Sequence, residues 1–154
     1  MNISLKTNMT QKLITVSKSE SVEQALMIMK NHHFRHLPVI DEANKIVGIV
    51  SDRDLYYSLN SSDIEIGAIM KSNLYIFNVQ TAMKTVVGAM IKQKISAFLV
   101  EEDKEIIGII TSEDLLQLLA HLLNDHELES SLLADFLQTA KMVADSVRNP
   151  NIIT

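Results

Sequence analysis

The chain carries one stretch of sequence twice, and no other feature restricts its fold as much. Gly48-Ile49-Val50-Ser51-Asp52-Arg53-Asp54 returns as Gly108-Ile109-Ile110-Thr111-Ser112-Glu113-Asp114, an offset of 60 residues. Upstream the offset is 61: Met9 matches Met70, Met29 matches Met90, and Leu37-Pro38-Val39 matches Phe98-Leu99-Val100. The one-residue change falls in the polar stretches 41–45 and 102–105, and loops absorb length changes at little cost. A unit of about sixty residues cannot cover both faces of its own sheet, so two copies are expected to share a core.

Within each copy the order of elements reads from pattern. Residues 13–16 form a short β-branched run. Ser21 with Gln24 makes a capping-box pattern, and Val22, Ala25, Leu26 and Met29 follow at helical spacing. Residues 36–40 and 46–50 read as two strands around a turn at 41–45, and Ser51 starts a further helix with Leu55 and Leu59 on one face. The second copy repeats this plan at 74–77, 86–91, 97–100 and 106–110, with a helix from about Ser112. Its first helix is weaker, because Ala82 replaces the cap Ser21 and Gly88 costs about 1 kcal/mol relative to Ala. The expected fold class is α+β, built from α/β-type repeats.

Composition removes several functions. The chain has no cysteine, which excludes disulfides, thiolate nucleophiles and cysteine-bound metals. No run reaches the roughly 20 apolar residues that cross a bilayer, and the start lacks a signal-peptide pattern, so a cytoplasmic protein with no membrane partner is expected. The net charge of −5 argues against a nucleic-acid partner. It is unevenly spread: residues 1–60 hold seven Lys/Arg against six Asp/Glu (+1), 61–120 hold five against eight (−3), and 121–154 hold two against five (−3). An anion would therefore be bound by the first sixty residues. No G-x-S-x-G, P-loop or H-E-x-x-H pattern occurs, and neither an enzyme nor a metal site is expected. His32 and His33 are explained by a favourable position at a helix C-terminus.

The capped helix, the His36-Leu37-Pro38-Val39 strand and the Gly-Ile-[Val/Ile]-[Ser/Thr]-x-x-Asp junction resemble the CBS domain. Two copies in tandem resemble a CBS pair, or Bateman module, over roughly residues 5–120. The resemblance implies two repeats packed as a pseudo-two-fold disc, with repeat 1 at 5–60 and repeat 2 at 65–123. It implies a stand-alone regulatory module whose clefts take adenosine-containing ligands. AMP, ADP or ATP come first, with S-adenosylmethionine, NAD and cyclic di-AMP as further members of the class. No obligatory cofactor is implied. The alternative is a structural protein-protein interaction module with no bound nucleotide.

Ser51 with Asp54, and Thr111 with Asp114, each support two compatible readings. A hydroxyl followed three residues later by an acid caps a helix. By resemblance, Asp54 and Asp114 also hold ribose, while Ser51 and Thr111 sit near phosphate at a helix N-terminus. Arg35 and His36 are polar residues at a strand start; by resemblance they face phosphates, where Arg offers a planar charged fork. His36 adds charge only when protonated, so phosphate affinity should rise as pH falls. Ser96 and Ala97 replace both cationic groups in the second copy, although Ser96 can still donate one hydrogen bond. The adenine pocket is expected along Met9–Thr10 with Ile14 and along Met70–Lys71 with Tyr75. Ile14 alone reads as core, and Tyr75 reads equally as a base-stacking ring or a cover for the sheet edge.

Beyond residue 124 a second helical stripe appears: Leu128, Leu132, Phe136, Ala140, Val143 and Val147, ended by Pro150. The segment 125–149 is expected to be an amphipathic helix that pairs two copies of the chain. The regulated protein that would read the module is unknown from sequence.

Overall fold

The computed structural model describes residues 3–59, 64–124 and 136–141. The first repeat contains α1 (Leu5–Asn8), β1 (Val16–Ser17), α2 (Val22–His32), β2 (His36–Ile40), β3 (Ile46–Ser51) and α3 (Asp52–Ser58). The second contains α4 (Ile66–Ile69), β4 (Ile76–Asn78), α5 (Met83–Gln93), β5 (Ala97–Glu102), β6 (Glu105–Thr111) and α6 (Ser112–Asn124). Each repeat has a three-stranded sheet, ordered β1-β2-β3 and β4-β5-β6. The first strand pairs parallel to the second in both, Val16 opposite Val39 and Phe77 opposite Val100. These two pairs are related by the 61-residue offset. The α+β repeat architecture expected from sequence is present.

The short helices α1 and α4 have no counterpart in the sequence reading. Both are four residues long, below the length at which apolar periodicity registers. The leading strands are also shorter than the runs at 13–16 and 74–77. Pro38 explains the first case. Leu99 N–H donates to Tyr75 C=O at 3.1 Å, and the matching residue Pro38 has no N–H to give to Ile14. Pairing in the first repeat therefore begins only at Val39.

Helix starts and stops follow local chemistry. Ser21 Oγ accepts the Gln24 N–H at 3.2 Å. The expected reciprocal bond differs, because the Ser21 N–H goes to the neighbouring Glu20 carboxylate at 3.1 Å. Ala82 caps α5 with no side-chain bond. Helices α2 and α5 both end on a left-handed residue, His33 (φ 57) and Lys94 (φ 55), another repeat-related pair. The length change between copies lies in the hairpin loops. In the first, Asp41 Oδ1 accepts the N–H groups of Ala43 and Lys45, both at 2.9 Å. In the second, Asp103 and Lys104 both have positive φ, the geometry of a tight two-residue hairpin turn.

The chain divides into two units. The larger comprises Thr10–Asn78 and Phe98–Ile109. Its core is Val16, Val22, Ala25, Met29, Leu37, Val39, Val50, Leu55 and Ile66. Ile66 comes from the second repeat and is fully buried in the first repeat's core. Within this unit the repeats also exchange backbone pairs: Thr10 with Ile109, and Lys71 with Ile49. Each bridge is the repeat image of the other. Gly48 makes room beside the second, since a Cβ there would meet Met70 Sδ and Cγ inside normal contact. The smaller unit comprises Met1–Met9, Val79–Ala97 and Ile110–Thr154, with Leu5, Val86, Met90 and Ile110 buried. Most of the segment expected as a helix at 125–149 lies outside the described residues. Residues 136–141 are helical, with Phe136 and Leu137 exposed.

Candidate ligand-binding site

The β2–β3 register builds the first-repeat site. His36 lies opposite Ser51 on the antiparallel ladder, and Asp52 N–H donates to Arg35 C=O at 3.0 Å. The end of the hairpin therefore gathers Arg35, His36, Ser51 and Asp52, and α3 adds Asp54 one turn later. The Arg35 Nε–H donates to Asp52 Oδ2 at 3.1 Å. Ile14 is half-buried and packs against the core of the same unit.

Asp54 uses its two oxygens differently. Oδ2 accepts the Ser51 N–H at 3.0 Å and the Ser51 Oγ–H, while Asp54 N–H donates back to Ser51 Oγ at 3.3 Å. That is a complete capping box. Oδ1 faces Lys71 Nζ at 3.4 Å. Burial would push the Asp54 carboxyl up, but the Ser51 donors and then the Lys71 ammonium outweigh it and hold the carboxyl below its usual range. Burial also dominates at His36 and lowers its pKa; Asp52 and Asp54 oppose this, and Arg35 and Lys71 reinforce it. His36 is thus neutral at neutral pH, leaving Arg35 and Lys71 as the charged cations of the group.

At the N-terminus of α3 the first amides have partners within the chain: Asp52 N–H donates to Arg35 C=O, Arg53 N–H to Asp52 Oδ1 at 2.8 Å, and Asp54 N–H to Ser51 Oγ. Arg35 and Lys71 add cationic side chains beside this helix start.

The second repeat reproduces the cap. Thr111 N–H and Oγ1–H both donate to Asp114 Oδ2 at 2.7 Å, and Asp114 N–H returns to Thr111 Oγ1 at 3.2 Å. Ser112 N–H donates to Ser96 C=O at 2.9 Å, the image of the Asp52–Arg35 bond. Ser96 is exposed and Ala97 buried. The charges do not repeat. Arg35, His36, Arg53 and Lys71 correspond to Ser96, Ala97, Glu113 and Thr10. Tyr75 is 43% exposed and meets Phe98 edge-on at 6.0 Å between centroids. It therefore covers the sheet through Phe98 while keeping part of its ring open.

Sequence reasoning missed Lys71 as a member of the first-repeat group. It was read as lining the second repeat's pocket, yet the backbone pair with Ile49 carries it to Asp54. The offset alone contained no signal of this exchange between repeats. Among the described residues, no group of three or more His, Asp or Glu is placed to hold a metal ion. No helix among them is long and apolar enough to cross a membrane.

Comparison with known proteins agrees with this architecture. A family model described as CBS domain matches residues 3–61 and 66–121. The chain is 33% identical over 106 residues to L-aspartate semialdehyde sulfurtransferase of Methanocaldococcus jannaschii, covering 68% of this chain and 21% of that protein. It is 35% identical over 103 residues to inosine-5'-monophosphate dehydrogenase of Korarchaeum cryptofilum, covering 66% and 21%. The chain thus spans about a fifth of the length of these curated relatives. Among solved structures, AcuB from Vibrio cholerae superimposes with TM-score 0.73 at 27% identity, over 84% of this chain and 99% of that one. The CBS domain pair of protein MJ0100, solved with 5'-methylthioadenosine and S-adenosyl-L-methionine, gives TM-score 0.70 at 30% identity, over 77% and 96%.

Proposed function

The chain belongs to the CBS domain family, and on that premise we propose that it is a regulatory module that binds an adenosine-containing ligand, with AMP, ADP or ATP preferred. One observation carries the reading. A carboxylate whose Oδ2 is held by the helix cap and whose Oδ1 faces Lys71 stands near the Arg35 cation and a titratable imidazole, where the β2–β3 hairpin meets α3. Asp54 Oδ1 is suited to accept ribose hydroxyls, and Arg35, Lys71 and protonated His36 are suited to phosphate. The MJ0100 domain pair, which resembles this chain at 30% identity, was crystallised with two adenosine compounds, which supports the ligand class. Thr111, Asp114 and Ser96 form the corresponding second site, better suited to a ligand with little negative charge. Ile14 and Tyr75 supply apolar surface for the base.

On this reading the chain is not itself catalytic; ligand binding shifts an equilibrium between arrangements, and a partner protein responds. The module is cytoplasmic and acts as a homodimer through segment 125–149, in keeping with the exposed Phe136 and Leu137. A ligand-free interaction module is the second reading. It is favoured by the loss of both cationic side chains at Ser96 and Ala97.

Calorimetry and thermal shift with AMP, ADP, ATP, S-adenosylmethionine, NAD and cyclic di-AMP test the proposal. Ligand at about 100 times its Kd should stabilise the fold by roughly 2.7 kcal/mol. Phosphate-ligand binding should vanish in Asp54→Ala and persist in Asp114→Ala. No stabilisation by any compound at millimolar concentration would favour the interaction module instead.

A further inference from the structure

We propose that Lys71 is a specificity-determining residue of the first-repeat site, an ammonium supplied by the second repeat that makes this site select adenosine ligands bearing phosphate. The inference rests on the adenosine reading above and names what sets its selectivity. Lys71 reaches the site through its backbone. Its N–H donates to Ile49 C=O at 2.9 Å, and Ile49 N–H donates to Lys71 C=O at 3.0 Å. Ile49 lies two residues before Ser51 on β3, so the pair pins Lys71 beside the helix junction whatever its side chain is.

From that anchor Nζ stands 3.4 Å from Asp54 Oδ1, and its field reaches His36. The ammonium therefore stands against the oxygen suited to ribose and within electrostatic reach of His36, one of the groups suited to phosphate. Its side chain is 67% exposed, so the ion pair with Asp54 contributes little to stability and exchanges readily for a stronger anion. A ligand hydroxyl arriving at Oδ1 displaces Nζ, and a ligand phosphate receives it. A neutral adenosine compound causes the same displacement and offers no replacement partner. The repeat counterpart, Thr10, makes the matching backbone pair with Ile109 and has no charge to offer.

The test titrates AMP and adenosine into the full chain and into Lys71→Met, Lys71→Arg and Asp54→Ala. Lys71→Met retains the backbone pair, so its unliganded melting temperature should stay close to that of the parent. AMP affinity should fall roughly tenfold, the size of one charge-assisted contact. Adenosine affinity should hold or rise, since nothing then competes for Asp54 Oδ1. Lys71→Arg should recover most of the AMP affinity. An equal loss for both ligands would mean that Lys71 only positions Asp54 and would overturn the assignment, as would unchanged AMP affinity. If the unmodified chain binds neither compound, the adenosine reading falls and this proposal with it. If it binds both, and Asp54→Ala abolishes binding while Lys71→Met leaves the AMP-to-adenosine ratio unchanged, only the Lys71 assignment fails.

Discussion

At Asp54 the carboxylate closes the α3 capping box with Oδ2 and faces Lys71 with Oδ1. The structural role and the proposed ligand role therefore fall on different atoms of one residue. Ser51→Ala should remove the cap and cost about 1 kcal/mol in urea unfolding, while leaving Oδ1 in place. His36 titrates in the opposite sense from a stabilising cation. Its folded pKa is depressed by burial, so at neutral pH it is neutral in both folded and unfolded chains. As pH falls through about 6.5 the unfolded chain takes up a proton that the folded chain resists, and stability declines. Asp54, also depressed, contributes stability above the ordinary carboxylate range that is lost at lower pH. The urea midpoint should therefore drop between about pH 7.5 and 5.5, and His36→Asn should flatten that part of the curve. A bound phosphate favours protonated His36, so AMP should bind more tightly as pH falls and take up protons near neutrality.

Elements show where local sequence and context compete. Helix α5 lacks a side-chain cap and carries Gly88, and a Cβ built at Gly88 meets nothing within 4 Å. Gly88→Ala should therefore stabilise by about 1 kcal/mol, raising the melting temperature by about 2–4 °C for a chain of this size. Gly48 is the opposite case. Its missing Cβ admits Met70, so Gly48→Ala forces that side chain to move and should cost about 1–3 kcal/mol by urea unfolding. The repeat-related left-handed ends at His33 and Lys94 are places where glycine is the less strained residue. Pro38 works by subtraction. It removes the donor that Leu99 uses and thereby shortens β1, while the β2–β3 ladder that places His36 opposite Ser51 is kept.

For the whole molecule, the repeat supplies a common scaffold and unequal charge. Both copies keep the cap, the hairpin and the parallel leading strand; only the first copy's group has Arg35 and His36, with Lys71 reaching it from the second copy. The reciprocal bridges Thr10–Ile109 and Ile49–Lys71 mean that neither sheet is completed by its own repeat alone. The proposed dimer is checked by light scattering on a chain lacking residues 125–154. Monomers are expected, and an unchanged mass would place self-association elsewhere.

By itself, the sequence determined the repeat, the order of helices and hairpins, the caps at Ser21, Ser51 and Thr111, and the unequal placing of cationic side chains in the two copies. These are local properties, set by periodicity, by side chains reaching backbone groups three residues away and by charge composition. Only the tertiary structure decided which residues meet across the repeats. It moved Lys71 to Asp54, put Ile66 into the first repeat's core and lowered the His36 pKa through burial. Each depends on contacts between residues distant in sequence, and neither spacing nor residue type encodes those before the chain has folded. The repeat therefore remains the frame of this protein, while the selectivity proposed for its first site rests on a residue that one copy lends to the other.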